Sequence, residues 1–179
     1  GYLPQHGELA WNLDVRTLAA LGRLPHASGA AADARATDAA LAALGLADLA
    51  QRPLATLSGG ERARALLARV LAGEPQWILA DEPLASLDLA NQAVLLGQFR
   101  ALATAGKAVV LVLHDLAAAM NHADQVIVLN HGKIAAAGAP ESALSAEIIA
   151  AVWGMRASWL GEGGRWALQL GPLDDHAAR

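Results

Sequence analysis

Short, wholly apolar runs alternate along this chain with alanine-rich stretches of helical composition, and Gly, Pro and Asn punctuate the joins. The spacing predicts helices over residues 14–21 and 37–44, separated by Gly22-Arg23-Leu24-Pro25-His26 and the region of Gly29. Alanine is so frequent here that propensity supports helix while the apolar stripe stays ill-defined. Ser58 suits the N-cap of a third helix over 60–72, which Gly73 and Pro75 end. The run Trp77-Ile78-Leu79-Ala80 then reads as a buried strand feeding Asp81, and a helix over 89–105 leads through Gly106 into a strand at 108–113. Strands at 125–129 and 133–136 join across Asn130-His131-Gly132 as a hairpin. A single helix over 141–153 follows, and 157–160 pairs with 166–170 across Gly161-Glu162-Gly163-Gly164. Residues 1–10 read as a loop marked by Pro4 and Gly7, and 172–179 as a frayed tail. Strand and helix alternate as in an α/β fold, with no internal repeat at solenoid periods.

Composition narrows the class. With 55% hydrophobic and 17% charged residues in a length of 179, the chain carries enough apolar material for one sizeable core. Its longest aliphatic stretch, near Ala108, falls far short of the roughly 20 residues that span a bilayer, so any membrane link comes through a partner chain. The absence of cysteine excludes disulfides and thiolate metal sites and fits a reducing, cytosolic compartment. A net charge of −4 gives no electrostatic footprint for nucleic acid, and Arg62, Arg64 and Arg69 point in several directions on one helix. Gly1-Tyr2-Leu3-Pro4-Gln5 has no Met, no basic segment and no apolar h-region, so the chain reads as beginning inside a longer protein.

Two short segments carry the candidate chemistry. Asp81 and Glu82 follow an apolar strand, and open α/β sheets place ligands at strand ends. There an Asp can hold Mg²⁺ and an adjacent Glu can orient or deprotonate a water, although Asp-Glu-Pro taken alone is more often an ordinary strand end and turn. Leu57-Ser58-Gly59-Gly60-Glu61 opens a helix whose first N–H groups suit phosphate, and the same residues also make a common N-cap. His114, closing a strand, is open to two readings, a phosphate contact or a satisfied core histidine. Gln5 reads by itself as a surface glutamine. No Gly-x-x-x-x-Gly-Lys-Ser/Thr phosphate loop occurs in the 179 residues.

Taken in order, Gln5, then Leu57 to Glu61, then Asp81-Glu82, then Ala85-Ser86-Leu87-Asp88, then His114-Asp115 resemble the ATP-binding cassette family in every motif after its P-loop. The match covers about Tyr2 to Pro140, and Leu-Ser-Gly-Gly-Glu is its most specific element. The resemblance implies an α/β fold, a partial P-loop NTPase core with a helical subdomain and with the first strands and P-loop missing. It implies one incomplete ATP-binding domain: a helical subdomain at about 11–56, the remainder of the catalytic core at 57–140, and a C-terminal helix with short hairpin and tail at 141–179.

Position by position, the resemblance makes Gln5 the Q-loop glutamine, near Mg²⁺ and the attacking water. Ser58, Gly59 and Gly60 would donate to the γ-phosphate of ATP held by the opposite subunit. Asp81 would be the Walker B aspartate at Mg²⁺, Glu82 the general base, Asp88 part of the D-loop and His114 the switch histidine. The implied partners are a second ATP-binding subunit in a head-to-tail dimer, transmembrane permease subunits and, indirectly, a periplasmic binding protein. The implied location is the cytoplasmic face of the inner membrane, held peripherally. Ala63 stands where the family commonly has Gln, and Ala80 replaces a bulkier aliphatic residue before Asp81. Neither removes a reacting group.

The missing P-loop weighs more. A helix N-terminus contributes about 0.3–1 kcal/mol per anion, up to ~2 in favourable sites, whereas micromolar binding needs about 8 kcal/mol. These residues alone are therefore expected not to hold ATP usefully, and to be inactive by themselves. In the family the P-loop strand lies beside the strand ending at His114, so an open apolar edge prone to association is expected.

Val15-Arg16-Thr17-Leu18 with Leu21-Gly22-Arg23-Leu24-Pro25-His26, Leu113 to Leu116 with Ala123-Asp124, and Val152-Trp153-Gly154-Met155 resemble the importers of iron-siderophore, haem and vitamin B12 complexes. The implied function is ATP hydrolysis that powers such uptake. The alternatives are a cassette ATPase of DNA repair or iron–sulfur assembly, and an inactive remnant that binds only a partner.

Overall fold

A computed structural model describes residues 1–5 and 13–173, which divide into two compact units, Gly1–Val112 and Leu113–Arg179. In the first unit β1 (Tyr2–Leu3), β2 (Trp77–Asp81) and β3 (Ala108–Val112) form a parallel sheet in the order β1-β2-β3. Tyr2 pairs with Leu79 and Leu3 with Ala80, so the opening segment is a strand where a loop is expected. Two residues are too few to show a period-2 pattern, and only the partner strand defines them. Gly7 of that expected loop lies outside the described residues.

The sheet buries one face only. Leu3, Ile78 and Ala80 are buried beneath α3 (Gly59–Ala72) and α4 (Leu89–Thr104), which pack on β1 and β3 respectively. Trp77 is 68% exposed, and Tyr2, Leu79, Val110 and Val112 are also exposed. The expectation of a strand buried on both faces is thus corrected: successive side chains point to opposite faces, and helices cover one of them.

A helical lobe precedes α3 in the chain. α1 (Val15–Ala20) and α2 (Ala30–Ala43) pack on each other and on α3, enclosing Val15, Leu18, Leu41, Leu44 and Leu46. α2 begins at Ala30, earlier than the expected 37, because Gly29 turns the chain at φ 80° and Asp33 in the first turn is occupied. Asp33 Oδ1 accepts from Arg23 Nε at 2.9 Å and Ser28 Oγ at 2.7 Å, while Thr37 Oγ1 donates back to the Asp33 carbonyl at 2.8 Å. The buried Arg23 also donates to the Ala72 carbonyl at 2.8 Å and to Glu74 at 2.7 Å, joining the lobe to the end of α3.

The second unit has its own core. α5 (Leu116–His122), β4 (Val126–Asn130), β5 (Lys133–Gly138), α6 (Pro140–Ala143), α7 (Ala146–Trp153), β6 (Met155–Glu162) and β7 (Arg165–Leu173) follow in order. Met120, Val128 and Leu144 are buried together, with Trp159 and Trp166 packed against them. Both hairpins turn through two left-handed residues, His131-Gly132 at φ 48° and 73° and Gly163-Gly164 at 60° and 77°.

Three expectations change in this unit. The helix expected at 141–153 is two helices, because Leu144 drops into the core and Ser145 caps α7, accepting from Ile148 N at 3.4 Å. α5 was not expected, since its run of alanines carries little pattern. The tail expected from 172 loses Pro172 and Leu173 to β7, and its remainder, 174–179, lies outside the described residues.

Candidate functional site

β2 delivers Asp81 and Glu82 to the C-terminal edge of the parallel sheet. The Glu82 N–H donates to the Val112 carbonyl at 3.1 Å, which fixes the backbone against β3. Glu82 has φ 46°, a left-handed conformation that L-residues seldom adopt and that the flanking bonds hold in place. β1 runs parallel to β2 and therefore brings Gln5 to the same edge. Gln5 Nε2 donates to Glu82 Oε2 at 2.5 Å, and the Tyr2 hydroxyl donates to Asp81 Oδ2 at 3.3 Å. Partial burial, and after it the Asp81 carboxylate, hold the Tyr2 phenol above its ordinary pKa.

The N-terminus of α3 is built to leave two amides open. Ser58 and Glu61 form a capping box: Ser58 N donates to Glu61 Oε2 at 2.8 Å and Glu61 N to Ser58 Oγ at 3.3 Å. These bonds from the Ser58 main chain, and next its hydroxyl, lower the Glu61 pKa, with Arg52 contributing from 3.7 Å. The Gly59 and Gly60 amides, between the two satisfied donors, have no hydrogen-bond acceptor among the described residues. They are the groups a phosphate oxygen would meet.

A short segment links the carboxylates to α4. Ala85 N donates to the Glu82 carbonyl at 3.1 Å and Leu87 N to the Leu84 carbonyl at 3.2 Å, with Ser86 at φ 63°. Asp88 caps α4, accepting from Asn91 N at 2.8 Å and Asn91 Nδ2 at 2.9 Å. The Asn91 backbone bond, followed by the side-chain bond, holds the Asp88 carboxyl below the usual range.

A cavity of about 320 Å³ opens between these parts, lined by Gln5, Gly59, Arg62, Ala63, Glu82, Ser86 and Leu87 among others. Of the expected site residues it gathers Gln5, Gly59 and Glu82, while Ser58, Gly60, Asp81 and Asp88 flank it without lining it. His114 belongs to the second unit, just before Asp115, whose Oδ1 caps α5 by accepting from Ala117 N at 2.8 Å and Ala118 N at 3.1 Å. It is exposed, which removes its reading as a core histidine.

Sequence reasoning did not single out Tyr2 or Asn91. The Asp88-x-x-Asn91 spacing is a capping signal that was available, whereas Tyr2 is found only through the register of β1 on β2. Among the described residues no group of three or more His, Cys, Asp or Glu could hold a metal ion. Asp81 offers one carboxylate, a donor set that fits Mg²⁺ when water and phosphate oxygens supply the other ligands.

A family model described as ABC transporter matches residues 1–85. The hemin import ATP-binding protein HmuV of Myxococcus xanthus (strain DK1622) is 44% identical to this chain, over 97% of the chain and 67% of the relative. The protein of the same name from Rhodococcus jostii (strain RHA1) is 43% identical, over 85% of the chain and 53% of the relative. The chain spans between about half and two thirds of the length of the curated relatives it matches. Among solved structures, a metal-chelate type ABC transporter in an inward-facing conformation matches 99% of the chain and 73% of its own, with a TM-score of 0.85 and 28% identity. The fold is shared as well with cbiO1 of Clostridium perfringens, at a TM-score of 0.73 and 24% identity, over 83% of the chain and 60% of cbiO1.

Proposed function

This chain belongs to the ABC transporter family of ATP-binding proteins, and from that membership we propose that it works in ATP hydrolysis coupled to import of an iron-bearing complex, haem foremost. The observation that carries the reading is the Gln5–Glu82 hydrogen bond at a cavity that Gly59 also lines. The strand edge thus presents a carboxylate base and a polar partner that orients it, and the cavity wall adds a glycine helix start suited to phosphate.

Glu82 takes the proton of the water that attacks the γ-phosphate of ATP, and Gln5 orients that carboxylate. Gly59 and Gly60 donate their main-chain N–H groups to phosphate oxygens of the nucleotide held by a second ATP-binding subunit packed head to tail. Ser58 keeps those two amides aligned by closing the capping box, Asp88 fixes the adjoining start of α4, and His114 donates to the γ-phosphate. Asp81 would hold Mg²⁺, whose charge would offset that of the nucleotide's phosphates.

None of the described helices is long and apolar enough to cross a membrane, and in this reading permease subunits carry the transport step. A periplasmic binding protein would act through that permease, and the chain would sit at the cytoplasmic face. The hemin importers among its relatives favour haem over siderophore or vitamin B12 as cargo.

The test uses the full-length protein with its permease in proteoliposomes. Glu82→Gln should retain ATP binding and lower turnover by roughly 10²–10⁴, the usual worth of a general base. Unchanged turnover would remove Glu82 from that role. Uptake of haem, but not of a ferric siderophore or cobalamin, is the expected cargo result.

A further inference from the structure

We infer that Tyr2 is a positioning residue for the metal-binding carboxylate, its hydroxyl setting the orientation of Asp81. The inference rests on the reading of Asp81 as the Mg²⁺ aspartate. The geometry begins with the register of β1 on β2: Tyr2 stands beside Leu79 and Leu3 beside Ala80, and Leu79 N donates to the Gly1 carbonyl at 2.9 Å. In a parallel pair, neighbours in register face the same side of the sheet, and Asp81 lies two residues beyond Leu79 on that side. A tyrosine is long enough to cover that offset, and its hydroxyl reaches Asp81 Oδ2 at 3.3 Å.

The two donors supplied by this segment differ in how they are held. Gln5 lies past the end of β1, whereas Tyr2 sits within a hydrogen-bonded strand whose next residue, Leu3, is buried. One strand and the residues just past it deliver a donor to each of the two neighbouring carboxylates. The hydroxyl engages Oδ2, and outer donors of this kind to a metal-binding carboxylate commonly tune metal affinity by 10–100-fold.

The experiment measures Mn²⁺, as a probe for Mg²⁺, bound to the full-length protein with a non-hydrolysable ATP analogue, by electron paramagnetic resonance. Tyr2→Phe removes only the hydroxyl of a residue that is 53% exposed, so its melting temperature and its affinity for the analogue in EDTA should match the parent. Its Mn²⁺ Kd should rise by about tenfold or more. Asp81→Asn should raise the Kd further, and adding Tyr2→Phe to it should have no additional effect. A Tyr2→Phe Kd within about twofold of the parent, with Asp81→Asn strongly weakened, would overturn the Tyr2 inference alone. An unchanged Kd in Asp81→Asn would overturn the Mg²⁺ reading and this inference with it.

Discussion

Asn91 occupies the space that a side chain on Gly60 would need: a Cβ there would lie 1.8 Å from Asn91 Oδ1 and 2.3 Å from its Cγ. Asn91 cannot step aside freely, because its Nδ2 donates to Asp88 at 2.9 Å. The start of α3 and the start of α4 are thereby fitted together by one glycine.

Gly60→Ala should destabilise the full-length protein by about 1–3 kcal/mol, the ordinary cost of overpacking. Gly59→Ala should not, since its Cβ would meet only Leu87 Cδ2, at 3.9 Å. Thermal melts separate the two, and Asn91→Ala should recover much of the Gly60→Ala loss. A Gly60→Ala protein melting like the parent would show that the helices part without cost.

Glu82 should be held in its backbone conformation at a cost. A left-handed L-residue is disfavoured by roughly 1–2 kcal/mol, and glycine is exempt. Glu82→Gly is therefore expected to be more stable than Glu82→Ala by about 1 kcal/mol, while both lose turnover. Equal denaturation midpoints for the two variants would contradict the strain.

Acid should destabilise the fold in part through two carboxylates of the site's scaffold. Glu61 and Asp88 have carboxyls held below their ordinary values, by bonds from Ser58 and Asn91 respectively. A depressed folded pKa means that the unfolded chain takes up protons first as pH falls. The stabilisation is complete above the unfolded carboxyl pKa of about 4 and is lost as pH drops through the folded values. Melting temperatures from pH 7 to 3 should show this decline, and Glu61→Gln with Asp88→Asn should lessen it, the remainder resting on Asp33 and Glu147, whose carboxyls are also held low.

Asn121 should anchor the C-terminal hairpin. It accepts from Trp166 N at 2.7 Å and donates to the Trp166 carbonyl at 2.8 Å, so one amide satisfies both main-chain groups of a residue packed on the second core. Asn121→Ala should cost about 1–3 kcal/mol by leaving them unpaired. Asn121→Asp, which turns a carboxylate oxygen toward the Trp166 and Ala117 carbonyls, should cost at least as much, as read from denaturant melts followed by tryptophan fluorescence.

The 179-residue chain expressed by itself should self-associate. Tyr2, Trp77, Leu79, Val110 and Val112 expose an apolar sheet face. Gel filtration should show oligomers or aggregates, and a monomer with a sharp melt would refute this.

Much of this was already written in the order of residues. Ser58-Gly59-Gly60-Glu61 contains its own capping box, Asp88 and Asn91 their own cap, and Asp81-Glu82 their own strand end, because bonds over three or four residues need nothing distant. The motif order likewise carried the family. Tertiary structure alone decided what those segments meet. Only β1 pairing on β2 gives Asp81 its tyrosine and Glu82 its glutamine, since Tyr2 and Asp81 are 79 residues apart. Only helices on one side of the sheet expose Trp77 and Leu79 within an apolar run, and only the descent of Leu144 into a core divides the helix expected at 141–153. Local hydrogen bonds can be read along a chain, but burial and register depend on partners that proximity in sequence does not specify.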